Sequence, residues 1–188
     1  MSTWSKKSNH AGLILFLIFL LSVIPKLSSA QKHPNILWIT CEDLSPFLPS
    51  FGDSTIKTPN LSWLAEEGIS FTRMFSTYGV CGPSRSSIIT GMYPTSIGAM
   101  DQRTTTAHHT IPYLPDYEVV PPPEVKCFTE YLRAAGYYCI NNAKTDYQFK
   151  VPITAWDENG KKATWKHRAP GQPFYAVINI GITHEAQL

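Results

Sequence analysis

The stretch Asn35-Ile-Leu-Trp-Ile-Thr40 is a continuous apolar run that ends at the polar residues Cys41-Glu42-Asp43. Runs in which apolar and polar residues do not alternate are typical of strands buried on both faces, as in parallel sheets. A second run of this kind, Phe174-Tyr-Ala-Val-Ile-Asn-Ile180, ends at Gly181-Ile-Thr-His184. Both runs therefore predict buried strands that carry polar groups at their carboxyl ends.

The segments between these two strands alternate between helical and extended patterns. Thr58 and Pro59 are typical of an N-cap and a first helical residue, and Gly68 is typical of a helix end. The other predicted elements are a strand at Ile69–Phe75, a helix beginning near Cys81, a helix at Val125–Ala135 followed by Gly136, and a strand at Tyr137–Ile140. This alternation predicts an α/β fold with a mostly parallel sheet sandwiched by helices.

The first 30 residues have the pattern of a secretory signal peptide. Lys6 and Lys7 precede the apolar run Ala11–Ile24, and Ser28-Ser-Ala30 fits a small-residue cleavage site. The run has 14 residues, fewer than the ~20 that span a bilayer, which favours cleavage over a retained anchor. We therefore predict a signal peptide at residues 1–30, export to the periplasm or the cell exterior, and one domain at residues 31–188.

Removal of this leader changes the charge balance of the chain. The leader holds three lysines and no acidic residue, so the formal net charge falls from +2 to −1. A chain with that balance lacks the electrostatic footprint of a nucleic-acid-binding protein. The four cysteines do not have the spacing of a zinc site. Cys127 and Cys139 are candidates either for a disulfide in an exported protein or for two buried thiols.

The run Cys81-Gly-Pro-Ser-Arg85 predicts the start of a helix beside an anion. Pro83 fits the first helical turn, because its missing N–H would have no partner there. The free backbone N–H groups and the positive dipole end of a helix suit sulfate or phosphate. Arg85 lies on the Cys81 side of such a helix and carries a fork of donors that matches oxyanions. A buried, unreactive thiol is the alternative for a lone cysteine.

Polar residues follow several of the predicted strands, where parallel α/β sheets form their sites. Glu42 and Asp43 follow the first strand and supply the oxygen ligands that hard cations prefer. Lys144 lies beyond the Tyr137–Ile140 strand, and His184 follows the last strand. An imidazole there can donate to an anion or protonate a leaving group. Solvated loop residues are the alternative for each of them taken singly.

Two further groups are candidates for substrate recognition. Gly98–Pro123 is irregular, and loops this long are often functional. Its polar residues include Asp101, Gln102, Arg103, His108 and His109, with an ordinary polar loop as the alternative. Trp156-Asp157 and Trp165-Lys-His-Arg168 are candidates for a sugar-binding edge, with core packing as the alternative.

The Cys81 run, continued to Thr90-Gly91, resembles the signature of the sulfatase family, Cys-x-Pro-Ser-Arg followed by Thr-Gly. The resemblance implies an alkaline-phosphatase/sulfatase-like fold. It also implies that a maturation enzyme oxidises Cys81 to formylglycine, whose hydrate attacks sulfur. The segments Trp38–Asp43 and Thr183–Glu185 look closest to the N-sulfoglucosamine sulfohydrolase-like branch.

The resemblance also implies roles for the residues at the strand ends. Glu42, Asp43 and position 81 would bind a divalent metal, usually Ca²⁺, although the family has Asp where Glu42 stands. Arg85 would hold charge on the reacting group, whereas Lys144 and His184 would contact sulfate, with His184 an alternative acid. Asp146 falls where the family often has His. The implied substrates are sulfate esters or sulfamates, above all sulfated carbohydrate, and Arg103 would take part in binding them.

Two alternatives stay open beside a sulfatase. Phosphate monoester or diester hydrolases of the same superfamily would carry a similar metal and anion site. A truncated, inactive sulfatase-like domain is the other alternative, because sulfatases are much longer and take further metal ligands from their second half. We therefore expect the chain to represent the N-terminal part of a sulfatase catalytic domain, with an incomplete fold.

Overall fold

The computed structural model of the chain describes residues 33–102 and 117–184, and the described residues from Pro34 onward belong to one compact unit. The predicted signal peptide, Arg103, His108, His109 and Glu185 lie outside the described residues. Within the described residues, no helix is both long and apolar enough to cross a membrane.

Four parallel strands form the described sheet. They are β1 (Ile36–Cys41), β2 (Tyr138–Asn142), β3 (Glu158–Asn159) and β4 (Phe174–Ile180), in the order β1-β4-β2-β3. The two apolar runs of the sequence are therefore neighbours, with Ile36 opposite Tyr175 and Cys41 opposite Ile180. Residues Tyr175 to Val177 of β4 are buried, as the prediction of a central strand requires.

Helices connect the strands, as predicted for an α/β fold. The α-helices are α1 (Pro59–Glu67), α2 (Cys81–Thr90), α3 (Pro94–Ile97) and α4 (Phe128–Ala134), and short 3-10 helices lie at Pro49–Phe51 and Trp165–His167. The predicted bounds of α1 are confirmed, with Thr58 as N-cap. Helix α4 begins three residues later than predicted, because the Glu130 side chain accepts from Cys127 N (2.9 Å) and caps the helix there.

The predicted strand at Ile69–Phe75 is wrong. This segment is irregular, and Ile69, Phe71 and Phe75 are each more than two-thirds exposed. A strand needs a neighbour for its backbone N–H and C=O groups. The described sheet ends at β1, and no pairing joins this segment to it. An apolar, β-prone sequence is therefore not sufficient here.

The core lies on one face of the sheet, under α4. Phe128 stacks edge-on against Tyr175 at 5.3 Å between ring centroids, and Trp156 stacks on the same Tyr175 at 6.2 Å. Trp156 is thus a core residue, and the prediction that it forms a sugar-binding edge is wrong. Leu37 and Ile39 of β1 are half exposed. Within the described residues, the sheet is covered more fully on the α4 face.

Candidate active site

Cys81 is the first residue of α2, so its side chain sits at a helix N-terminus, as predicted. The N-cap is Val80 in an extended conformation, and Pro83 occupies the first turn. Gly82 packs closely against two amides: an added Cβ would come within 2.7 Å of Gln148 Oε1 and 2.9 Å of Gln102 Oε1. A side chain at position 82 would therefore displace at least one of the two glutamine amides. Sequence reasoning named Gln102 among the polar residues of the long loop but missed Gln148, which belongs to no recognisable motif.

Arg85 is the hub of the site. Its guanidinium donates to the Glu42 carboxylate at 3.1 Å, to Asn179 Oδ1 at 2.7 Å, and to the carbonyl oxygens of Lys144 and Thr145 at 2.6 and 3.0 Å. Its side chain is 12% exposed. Arg85 thus ties α2 to the carboxyl ends of β1, β2 and β4, and four protein acceptors occupy its donors.

Glu42 is a buried carboxylate held between two cations. Its Oε1 accepts from Arg85, and its Oε2 lies 2.9 Å from Lys144 Nζ. Its backbone N–H donates to Ile180 O at 3.1 Å, which extends the pairing of β1 with β4. The ends of β1 and β2 thereby bring Glu42 and Lys144 together, as predicted from parallel sheet geometry, and Arg85 joins them from α2.

An amide network beneath these charges was not predicted. Asn179 Oδ1 accepts from Arg85 and from Thr40 Oγ1 (2.9 Å), while its Nδ2 donates to Asn141 Oδ1 at 2.9 Å. Asn141 Nδ2 donates in turn to Asn159 Oδ1 at 2.8 Å. One asparagine from each of three neighbouring strands thus links the strand ends. The available signal was Asn179 itself, a polar residue inside an otherwise apolar run.

The Cys81 thiol faces a polar group from each of two loops. Its Sγ lies 3.7 Å from Gln102 Nε2, which in turn lies 3.5 Å from Asp146 Oδ2. Asp146 has a positive φ of 48° and approaches Lys144 Nζ to 3.9 Å. Burial raises the pKa of Cys81, the neighbouring Asp146 carboxylate raises it further, and Lys144 acts in the opposite direction. An unmodified thiol is therefore kept protonated at neutral pH.

The other predicted residues lie beside this centre. His184 Nε2 is 4.0 Å from Asp43 Oδ2, and both side chains are partly exposed. An open cleft of ≈ 530 Å³ is lined by Glu42, Asp43, Cys81 and Arg85, among others. Lys144 contacts Glu42, and His184 lies beside Asp43, so both are adjacent to residues that line the cleft. Arg103 is outside the described residues, so its predicted role stays a prediction.

The carboxylates suit only part of a metal site. No group of three or more His, Cys, Asp or Glu among residues 33–102 and 117–184 has an arrangement that would hold a metal. Asp43 is 45% exposed at the cleft, whereas both oxygens of Glu42 are ion-paired. Ca²⁺ takes about 6–8 oxygen ligands. Asp43 and Glu42 have the donor chemistry for a hard cation and would supply a minority of its ligands.

The remaining cysteines differ from Cys81. Cys127 and Cys139 are buried free thiols, so the disulfide alternative is not realised in this structure. Burial raises the pKa of each to about 12. Cys41 and Cys81 are both partly exposed and line the same cleft, and of the two Cys81 lies at a helix N-terminus.

Comparison with known proteins reveals similarity along most of the chain. The family model described as Sulfatase matches residues 34–175. An ulvan-active sulfatase of Formosa agariphila is 54% identical over 157 residues, which cover 84% of this chain and 26% of that protein. Human N-acetylgalactosamine-6-sulfatase is 35% identical over 113 residues, 58% of this chain and 21% of that protein. The chain thus spans about a quarter of the length of these relatives.

Solved structures share the fold. A protein in complex with its substrate D-glucosamine-2-N,6-O-disulfate superposes with a TM-score of 0.65 at 19% identity, covering 84% of this chain and 36% of that one. A putative sulfatase from Bacteroides fragilis superposes with a TM-score of 0.62 at 19% identity, covering 83% and 45%. The parallel sheet and its helices therefore have the arrangement found in these proteins.

Proposed function

The chain belongs to the sulfatase family, and from this premise we propose that it carries the nucleophile of an exported enzyme that hydrolyses sulfate esters or sulfamates on carbohydrate. The family match confirms the sulfatase resemblance of the signature, and the solved structures confirm the predicted α/β fold. The N-sulfoglucosamine sulfohydrolase-like branch stays a prediction. Residues 31–188 would form the N-terminal part of the catalytic domain. Sulfated polysaccharide is the proposed substrate class, supported by the 54% identity to an ulvan-active sulfatase.

One observation carries this proposal: Cys81, at the N-terminus of α2, shares a cleft with Glu42, Asp43 and Arg85. The open backbone N–H groups of α2 can bind sulfate oxygens, and the helix dipole favours their charge. Lys144 adds a positive charge near position 81. His184 Nε2 can hold the proton that the leaving oxygen or nitrogen needs. Arg85 has a positioning role, because its hydrogen bonds fix the Glu42 side chain and the backbone of Lys144 and Thr145.

Position 81 and the two carboxylates would hold the groups that the family implies. Formylglycine made from Cys81 by a maturation enzyme would supply, when hydrated, the hydroxyl that attacks sulfur. A divalent metal, most simply Ca²⁺, would supply Lewis-acid charge beside it. Asp43, exposed at the cleft, and Glu42 behind it would contribute carboxylate oxygens. Gln102 and Asp146 would contact the polar group at position 81.

Mass spectrometry of the tryptic peptide Met74–Arg85, from cells that contain the maturation enzyme, tests the proposal. We expect an aldehyde at position 81, together with turnover of an aryl sulfate by the matured protein. Cys81→Ala should abolish both, because alanine has no group that can be oxidised to the aldehyde, while Cys139→Ala serves as the matched thiol control. A persistent thiol would contradict the proposal, and faster turnover of an aryl phosphate would favour a phosphate ester hydrolase. An aldehyde without any turnover would favour the inactive-domain alternative.

A further inference from the structure

The loop that follows β3 is strongly basic. This basic loop, residues 160–166, has the sequence Gly-Lys-Lys-Ala-Thr-Trp-Lys. Lys161, Lys162 and Lys166 are exposed. Within the described parts of the chain, none of these three lysines makes an ion pair with a carboxylate. The loop therefore presents to solvent three ammonium groups without a direct ion-pair partner among the described residues.

The basic loop is attached to the same sheet edge as the candidate active site. Asn142, the last residue of β2, donates from Nδ2 to Lys161 O at 3.1 Å and to Ala163 O at 3.4 Å. Gly160 N donates to Asn141 O at 3.0 Å. Lys144, which pairs with Glu42, follows Asn142 by two residues. The basic loop follows β3 and the predicted sulfate-contacting lysine follows β2, so the two leave the ends of neighbouring strands.

The backbone of the basic loop is fixed before any ligand binds. Glu158 accepts from Thr164 N at 3.0 Å, from Tyr138 Oη at 2.6 Å, and contacts His167 Nδ1 at 2.6 Å. Trp165 stacks on Phe174 with ring centroids 5.3 Å apart. These contacts hold both ends of the loop, so a ligand would order only the lysine side chains. Such preorganisation lowers the entropy cost of binding.

Neighbouring acidic groups cancel the charge of the lysines only in part. Asp157 pairs with Arg133 at 2.8 Å, whereas the Glu158 carboxylate lines the cleft beside the loop and offsets one of the three lysine charges. An open cleft of ≈ 470 Å³ adjoins the loop and is lined by Lys161, Lys162 and His167, among others. The cleft is broad, and its lysines give it a net positive charge, which suits a hydrated polyanion.

We propose that the basic loop binds a second anionic group of a sulfated polysaccharide, away from the sulfate that is cleaved; this rests on the proposed function. The sheet order places β3 next to β2, which precedes Lys144, and three strand spacings from β1, which precedes Glu42 and Asp43. Three spacings are ~15 Å at ~4.8 Å each. A lone sulfate ester does not cover that distance, whereas an oligosaccharide does. Lysines are point charges without a fixed fork, and they suit sulfates whose position varies along a flexible chain.

The occupant is a glycan rather than a nucleic acid, because the positive charge is local. The chain without its first 30 residues has a formal net charge of −1, which opposes approach by a long, uniformly charged duplex. A polysaccharide anchored at the catalytic cleft needs only a local cationic patch further along its length. The basic loop supplies that patch on the β3 side of the sheet.

The double substitution Lys161→Gln/Lys162→Gln tests this inference. Lys57→Gln/Lys126→Gln removes the same charge from two exposed lysines outside the loop and is the matched control. We expect the loop variant to bind dextran sulfate about tenfold more weakly, with a shallower salt dependence. Binding to neutral dextran and turnover of p-nitrophenyl sulfate should stay at wild-type values in both variants. Equal melting temperatures would establish that both variants fold.

Three outcomes would overturn the inference. The first is unchanged dextran sulfate binding by the loop variant, and the second is an equal loss in the Lys57→Gln/Lys126→Gln control. The third is tighter binding of the wild type to a single-stranded oligonucleotide than to dextran sulfate of equal charge. Failure of the proposed function is distinguishable, because it would abolish p-nitrophenyl sulfate turnover in the wild type. Dextran sulfate binding does not depend on that turnover.

Discussion

Glu42 and Glu158 each anchor several donors at one edge of the sheet, but in different surroundings. Glu42 is 7% exposed and joins Arg85 and Lys144, which lie 43 and 102 residues away in the sequence. The side chain of Glu158 is 24% exposed, and its partners Tyr138, Thr164 and His167 lie within 20 residues. Glu42 therefore holds the candidate active site together, whereas Glu158 shapes a single loop.

The difference in burial between Glu42 and Glu158 indicates which charges position other residues and which are available to bind a ligand. A buried ion pair costs desolvation, so removing one member leaves an uncompensated charge and disturbs the whole cluster. An exposed anchor is hydrated when its partners leave, and its loss is mild. In the Glu42 cluster, which consists of Glu42, Arg85 and Lys144, both cations pair with a protein carboxylate. The lysines of the basic loop, whose base Glu158 holds, stay exposed. The two regions thus suit positioning and recognition respectively.

Glu42→Gln should give the largest effect. The substitution leaves Arg85 and Lys144 without their shared carboxylate in a buried setting, so we expect a loss of about 3 kcal/mol in the free energy of unfolding and of at least ~100-fold in aryl sulfate turnover. Urea unfolding in the presence of a chelator measures the ion-pair contribution without any bound metal. Glu158→Gln is the matched control and should change turnover little. Equal stability losses in the two variants would break the comparison.

Arg85→Lys should give the second largest effect. Lysine keeps the charge but cannot reproduce four directed donors, so acceptors such as Asn179 Oδ1 lose a partner. We expect about 2 kcal/mol of lost stability and a tenfold or greater fall in turnover. Arg133→Lys is the control, because Arg133 is 30% exposed and pairs with Asp157; its cost should stay below ~1 kcal/mol. A fully active, fully stable Arg85→Lys variant would contradict the inference that the four hydrogen bonds of Arg85 hold the site together.

The fold was predictable where local chemistry and burial agree. The apolar runs of β1 and β4 and the Thr58-Pro59 start of α1 each depend on short-range signals. The Ile69–Phe75 strand failed because a strand is defined by its neighbour, and pattern alone does not supply one. Trp156 was ambiguous for a related reason. An aromatic residue beside an acid reads equally well as a binding edge or as core, and the packing against Tyr175 decides it.

The location of the site could be predicted from the sequence, but its hydrogen bonds and ion pairs could not. The rule that parallel strands carry polar groups at their carboxyl ends placed Glu42, Lys144 and His184 together. The rule does not say which acceptor takes which donor. Arg85 was expected to face an anion, yet the carbonyl oxygens of Lys144 and Thr145, some 60 residues away, take two of its bonds. Such long-range pairings follow from tertiary structure and leave no mark in residue spacing.

Acid should reveal the third effect, at the base of the basic loop. Donation from Tyr138, Thr164 and His167 lowers the pKa of Glu158 from 4.5 to about 2. Because the folded-state pKa lies below the unfolded one, the stability that Glu158 contributes is present above about pH 4.5 and is lost as the pH falls toward 2. The difference in melting temperature between wild type and Glu158→Gln should therefore shrink over that interval. A constant difference would contradict the assignment.

The smallest effect sharpens the comparison electrostatically, through the reactivity of the unmodified Cys81 thiol. Burial and the Asp146 carboxylate raise its pKa, whereas Lys144 lowers it. Alkylation by iodoacetamide at pH 7.5 reports the thiolate fraction, so Asp146→Asn should accelerate it a few-fold and Lys144→Gln should slow it. Glu158→Gln should leave the rate unchanged, because Glu158 belongs to the other region. Cys139, whose pKa is raised to about 12 by burial, should stay unmodified in the native protein. If Asp146→Asn raises the alkylation rate and Lys144→Gln lowers it, the charges of Asp146 and Lys144 act on the thiol at position 81 as expected. Changes in the same direction would contradict this electrostatic coupling.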